Sequence, residues 1–289
     1  MNLHGRGYLT MAVGRRHYLE MAVDMALSLR ERSSLPILLA SDEAMGALAA
    51  AQFPGVFSEI VPIERRFLRG RARKFGVAAA SPFEETVFID ADCLVLSDPE
   101  TIWAGAGDGP VTMVGEMLGP TDDRYHQGFS TRDLMKALGL QAYLKTNSGV
   151  FHFRRGGGLG AMEECLRCFE EEVRPALRSP LRPWRFLGDE LGFALAGGRL
   201  GFHTFSPPGP MYWEAEIQAL DPDRPSKPIL HFIAPIPVNT LVRLLDDIRW
   251  RRHAAGLPSE RSLPTWRREA RISRFSWVAN RALRRLARA

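Results

Sequence analysis

Asp90 and Asp92 stand two residues apart in TVFIDADCLVLSDP, where the apolar run Thr86–Ile89 ends. If the extended geometry persists, both side chains leave the backbone on the same side. Two carboxylates that close repel, and burying them unpaired is expensive unless a cation lies between them. A hard divalent ion takes oxygens from one or two carboxylates and completes its shell with phosphate oxygens and water. The competing reading is a solvated turn in which Asp92 or Asp98 caps the segment that follows. D-x-D is common enough to leave both open.

Other residues invite the same double reading. His231 stands in the apolar run ILHFIA, where a single histidine is by default a satisfied core side chain and otherwise a ligand. Arg71, Arg73 and Lys74 make the stretch RGRARK, by composition a solvated basic face or a nucleic-acid patch. Asn147, Ser148 and Gly149 open NSGVFHFRR. This is either an ordinary turn into a strand or a place where glycine lets a ligand approach the backbone. Asp189 follows Gly188 at the start of GDELGFALAGG, where its default role is an N-cap. Cys165 and Cys168 form a C-x-x-C inside an apparent helix, without the helix N-terminus or second Cys/His pair that redox or zinc chemistry needs. They read as plain helical cysteines.

The elements that must hold these residues alternate. GYLTMAV, LPILLAS, VFSEIVPI and TVFI read as buried strands. Helical spacing of Leu19, Met21, Ala22, Met25 and Leu29 separates the first two, and Asp42 is placed to cap EAMGALAAAQF. Such alternation predicts an α/β fold with a mainly parallel sheet. In open sheets of this kind ligands bind beyond the carboxyl ends of the strands, which is where the D-x-D falls. A Gly-rich turn after the first strand and a phosphate-loop motif are both missing, so a nucleotide would be bound by other means. The second half is less regular. GPVTMVGEM and NSGVFHFRR read as strands, and GDELGFALAGG as a helix stopped by Gly197 and Gly198. The Pro-rich stretch over residues 206–228 is a long loop of the sort that carries function.

Five pieces then fall into a known order: HYLEMAVDMALSLRER with LPILLAS, RKFGVAAASPFEETVFIDADCLVLSDP, TNSGVFHFR, GDELGFALA and KPILHFIA. Over about residues 7–234 the chain resembles the GT-A glycosyltransferases, most closely glycosyltransferase family 8, which includes glycogenin and bacterial lipopolysaccharide galactosyl- and glucosyltransferases. The resemblance implies a GT-A (Rossmann-like) mixed, mainly parallel sheet flanked by helices. It implies a retaining hexosyl transfer from a nucleotide sugar, a UDP-hexose, to a saccharide or lipid-linked acceptor. By the same resemblance Asp90, Asp92 and His231 hold Mn²⁺ (or Mg²⁺), with Asp90 also near the donor ribose. Lys74, with Arg71 or Arg73, contacts the donor diphosphate. Asn147, Ser148 and Gly149 line the sugar pocket, and Asp189, then Glu190, offers a carboxylate near the anomeric carbon. Two places depart from the family. AVGRRHY lacks the acids that usually meet the base, leaving Tyr18 to stack on it. After His231 the closing Gly and Lys-Pro-Trp are replaced by FIAPIPVNT, with Arg243 as the substitute cation.

The net charge of +5 is unevenly spread. From residue 241 onward there are 13 Arg, no Lys and 4 acids, so the tail carries +9 and the remainder −4. We read residues 1–240 as the nucleotide-sugar and acceptor domain and 241–289 as a basic helical tail. Ile272, Phe275, Ala279, Ala282, Leu283 and Leu286 share one helical face opposite arginines. With Trp266, Phe275 and Trp277, that pattern suits a 265–289 helix lying on an anionic membrane surface. The bland alternative is a helix packed on the body; nucleic-acid binding is not expected. Three cysteines and no apolar run of 18 residues lead us to expect a cytoplasmic protein, peripheral on the inner face of the cell membrane. The alternatives to the transferase are a non-catalytic membrane-associated GT-A-like protein that assembles partner enzymes, and a sugar-phosphate nucleotidyltransferase. The second lacks its Gly-rich basic loop.

Overall fold

The computed structural model describes residues 5–68, 72–176 and 188–286, with side chains described through residue 275 of the last stretch. The chain opens with the expected alternation: β1 (Arg6–Ala12), α1 (Arg16–Arg30), β2 (Ile37–Ser41), α2 (Glu43–Gln52) and β3 (Glu59–Pro62). Asp42 caps α2 as expected, its Oδ1 accepting from the Met45 amide at 2.8 Å. A 3₁₀ turn (Ala72–Gly76) and α3 (Val77–Ala80) lead into β4 (Glu85–Ile89), followed by β5 (Cys93–Val95) and α4 (Glu100–Gly105). Next come β6 (Val111–Leu118), β7 (Tyr125–His126), β8 (Phe129–Ser130), α5 (Thr131–Ala137) and β9 (Tyr143–Arg154). The chain continues through α6 (Arg155–Arg167), α7 (Arg174–Ala176), α8 (Glu190–Leu200), β10 (His203–Thr204) and α9 (Glu214–Ile217). It ends with β11 (Ile229–His231), α10 (Val238–Ala254) and α11 (Ser262–Leu286). The fold is α/β, with a mixed, mainly parallel sheet flanked by helices.

Two compact units share these elements. One gathers the chain start through Arg6, Ile63–Val87 and Ala106–Ser206. In it β6 lies between parallel β10 and antiparallel β9. A cluster of rings forms the core, Phe193 standing 5.0 Å from Phe75 and 5.2 Å from Phe151. The expected stop of α8 at Gly197 and Gly198 is corrected: the helix runs on to Leu200, and Gly201, at φ 65°, closes it. Gly198 serves contact, because a Cβ there would lie 2.2 Å from the Ala142 carbonyl oxygen.

The other unit gathers Gly7–Pro62, Phe88–Gly105 and Pro207–Ala289. β1, β2 and β3 pair in parallel, and β5 and β11 form a separate antiparallel ribbon. Asp24 of α1 ties the C-terminal helices down. Its Oδ1 accepts from Arg252 Nε of α10 at 2.5 Å, and its Oδ2 from Ser262 Oγ at 2.5 Å and Trp266 Nε1 at 2.7 Å in α11. Trp266, expected among the aromatic residues of an interfacial helix, is fully buried. Its indole finds in Asp24 the acceptor a buried Trp N–H requires. The start of α11 is therefore a core element. Ile272 and Phe275 remain exposed, Phe275 at 76 %. Trp277 and the later tail side chains lie outside those described, as does Arg71.

Candidate functional site

The β5–β11 register sets His231 opposite Cys93. The residue before Cys93 is Asp92, and its Oδ1 lies 3.2 Å from His231 Nε2. The Phe232 amide donates to the Asp92 carbonyl at 3.1 Å, continuing the pairing past the strand end. One ligand atom each from Asp92, Cys93 and His231 falls within 4.8 Å of the others. Asp92 thus faces a histidine, and the capping falls to Asp98, whose Oδ1 accepts from the Glu100 amide at 2.9 Å. Asp90 is half-buried at the end of β4 and stands outside that trio; its carbonyl accepts from the Cys93 amide at 3.1 Å.

These donors fit a divalent cation. Carboxylate oxygen suits Mg²⁺ and Mn²⁺, and a neutral imidazole beside it favours Mn²⁺. The Cys93 thiol is a softer donor, held in the β5 ladder by the same register. The pairing of Asp92 with His231 at 3.2 Å, built by main-chain registration of two strands, is what such an ion requires of a protein. α11 adds an acid that the sequence reading missed. Trp266 packs on Phe232 with ring centroids 4.6 Å apart, and Ser273 Oγ donates to the Phe232 carbonyl. Between them on the same helical face stands Glu269. Burial first, and then the charge of Asp92, pushes its carboxyl up to about 7. In the same unit Tyr18 is 39 % exposed in the first turn of α1. Arg243 is taken up by Asp221, at 3.8 Å, and Asp223.

The other unit holds the second group. β6 and β9 pair with a slip: Met113 opposes Phe151 and Val114 opposes Asn147. Ser148, Gly149 and Val150 are left between, so the Asn-Ser-Gly stretch sits on a bulge that re-aims its side chains. Asn147 Oδ1 accepts from the Gly149 amide at 2.8 Å and fixes that turn. Lys74 Nζ, buried, reaches the Ser148 carbonyl at 3.2 Å, Ser148 Oγ at 3.0 Å and Asp189 Oδ2 at 3.3 Å. Ser148 Oγ in turn donates to Asp189 Oδ2 at 3.0 Å. Asp189 precedes α8 but makes no side-chain capping bond, so its carboxylate is spent on Ser148 and Lys74. Arg73 turns back to the Leu68 carbonyl at 3.4 Å. Lys74, Asn147, Ser148, Gly149 and Asp189 thus lie together in this unit.

Glu190 joins them. Gln127 Nε2 donates to its Oε2, and His126 Nε2 lies 3.3 Å from the same oxygen. Burial works to raise this carboxyl, and the bonds from His126 and Gln127 outweigh it, holding the group below the usual carboxylate range.

No family profile and no curated protein matches the chain. Solved structures do. The galactosyltransferase LgtC, crystallised with donor and acceptor sugar analogues, aligns over 91 % of this chain and 99 % of its own, with a TM-score of 0.57 at 14 % identity. The bifunctional glycosyltransferase WbbM aligns over 91 % of this chain and 51 % of its own, with a TM-score of 0.53 at 14 % identity. GlyE of Streptococcus pneumoniae aligns over 92 % and 64 %, with a TM-score of 0.51 at 13 % identity. The fold is that of the GT-A glycosyltransferases. Within this GT-A frame, His126, Gln127, Cys93 and Glu269 carried no motif. Cys93 was legible only as the neighbour of Asp92, and Glu269 only as a lone acid among tail arginines.

Proposed function

We propose that the protein transfers a hexose, with retention of configuration, from a UDP-linked sugar to a saccharide or lipid-linked acceptor in a cation-dependent reaction. The observation that carries this reading is the registered Asp92–His231 pair at the D-x-D of a GT-A fold. Asp90, Asp92 and His231 are the residues proposed to hold Mn²⁺ (or Mg²⁺), with Asp90 near the ribose. When bound, such an ion neutralises the charge that collects on a leaving diphosphate. Lys74 is the protein's own cation for that diphosphate, and an ammonium already desolvated acts there with little reorganisation. Asn147, Ser148 and Gly149 form the sugar pocket, with their bulge letting the backbone approach the ring. Asp189 and Glu190, with the Asn147 carboxamide, supply oxygens for the oxocarbenium character of the sugar. Tyr18 is the proposed stacking surface for the base. The acceptor sits at the inner face of the cell membrane, toward which the exposed Ile272, Phe275, Arg271 and Arg274 would be turned.

A panel of UDP-hexoses, assayed for UDP release with Mn²⁺ and with EDTA, tests this. At least one sugar should give Mn²⁺-dependent UDP release that Asp92→Asn abolishes at an unchanged melting temperature. UDP release insensitive to both EDTA and that substitution would refute the cation-dependent reading. UDP binding without turnover on any sugar would point to the non-catalytic alternative.

A further inference from the structure

His126 and Gln127 lie on a hairpin that the transfer reading does not use. β7 and β8 are two residues each, and their turn is Gln127–Gly128, with φ 50° and 82°. A two-residue turn with both φ values positive belongs to Asn, Asp or Gly. Gln127 occupies it at a cost in backbone strain, the kind that persists where a side chain is wanted for something else. Here its amide reaches Glu190 and lies over Gly188, where a Cβ would come within 3.1 Å of Gln127 Oε1.

His126 is locked more firmly. Nε2 faces two acceptors, the Thr146 carbonyl at 2.9 Å and Glu190 Oε2 at 3.3 Å, and must carry the proton. Nδ1, 2.7 Å from the Tyr143 hydroxyl, then accepts from it. Burial and the nearby charge of Glu190 push the Tyr143 phenol up, so it keeps the proton it donates. Asp189 has its charge matched by Lys74 at 3.3 Å, whereas Glu190 is gripped by the N–H groups of Gln127 and His126, with the charge of Lys74 as a lesser influence.

We propose that His126, fixed as the Nε2–H tautomer by Tyr143, is with Gln127 the positioning pair that aims the Glu190 carboxylate at the transferred sugar. This rests on the glycosyl-transfer reading for its consequence, but not for its geometry. The charged and titratable groups facing Glu190 are His126 on the hairpin, Lys74 on the 3₁₀ turn and Tyr143 on β9, beside its chain neighbour Asp189.

Two readouts test it. Carbonyl-detected NMR titration should find Glu190 below the usual carboxylate range in the intact protein and moved upward in His126→Leu. His126→Gln, which keeps an N–H near the place of Nε2, should restore it. With the UDP-hexose that wild type turns over, His126→Leu should lower kcat on the order of 100-fold with donor KM little changed, and shift the acid limb of the pH profile upward. Gln127→Gly should lower kcat while raising the melting temperature, because it relieves the turn. A Glu190 titration unmoved by His126→Leu, or wild-type kcat in both His126→Leu and Gln127→Gly, would overturn the assignment. If His126→Leu fails to fold, Tyr143→Phe serves: ¹⁵N shifts should show loss of the single tautomer, and an unchanged tautomer would overturn the proposal. A wild-type protein that releases no UDP from any sugar would sink the transfer reading, leaving the Glu190 titration to decide this one separately.

Discussion

At the residue scale the protein sets acids in three electrostatic settings. Asp92 faces an imidazole, Asp189 an ammonium, and Glu190 the N–H groups of Gln127 and His126. Glu269 is a fourth case, held up to about 7 by burial and by Asp92. Unfolded, it titrates near 4.5. Between those values the folded state binds the extra proton, so its contribution to stability is complete at low pH and fades as pH rises through 7. In EDTA the melting temperatures of wild type and Glu269→Gln should converge near pH 4.5 and separate by pH 8, with the variant higher; parallel curves would contradict this. Which residues the fold brings together was partly legible because short motifs keep their members adjacent: D-x-D, Asn-Ser-Gly, Gly-Asp-Glu. His126 and Glu269 belong to no motif. Their placement arises from a hairpin and a helix face brought up by tertiary packing.

At the element scale the decisive device is registration. β11 against β5 gives Asp92 its histidine, and a slip of β9 against β6 lifts Ser148 and Gly149 out of the ladder. Strands were readable from apolar runs, but register depends on partners far away in sequence and has no local signature. The helix through Gly197 and Gly198 shows the same limit: glycines that read as punctuation let α8 approach the Leu144 side chain and the chain at Ala142 respectively. The buried Asp24–Arg252 pair was equally invisible, since two charged residues on two helices look solvated until the helices meet. Asp24→Ala should lower the unfolding free energy by about 3–5 kcal/mol in urea denaturation, because it strands a buried guanidinium. A loss below about 1 kcal/mol would show that the network contributes little.

At the scale of the whole molecule, α10 and α11 belong to the unit built on β1–β3, and α11 reaches past the β11 segment that carries His231. Deleting residues 265–289 would remove Trp266 and test folding rather than membrane binding. Making Ile272→Ser with Phe275→Ser changes two exposed side chains and keeps Trp266. That change should release the protein from phosphatidylserine vesicles in sedimentation; unchanged co-sedimentation would remove the membrane reading. The fold class was legible from β/α alternation and motif order. How segments distant in sequence share a unit was not, because compactness is a property of contacts and not of chain position.

If Asp92 and His231 hold a divalent cation for a nucleotide diphosphate, electron paramagnetic resonance of Mn²⁺ titrated with protein and UDP measures it most directly. The six-line signal of free Mn²⁺ should be quenched at one site per chain by wild type, and should persist with Asp92→Asn and with His231→Ala. Equal quenching by all three proteins would contradict the account.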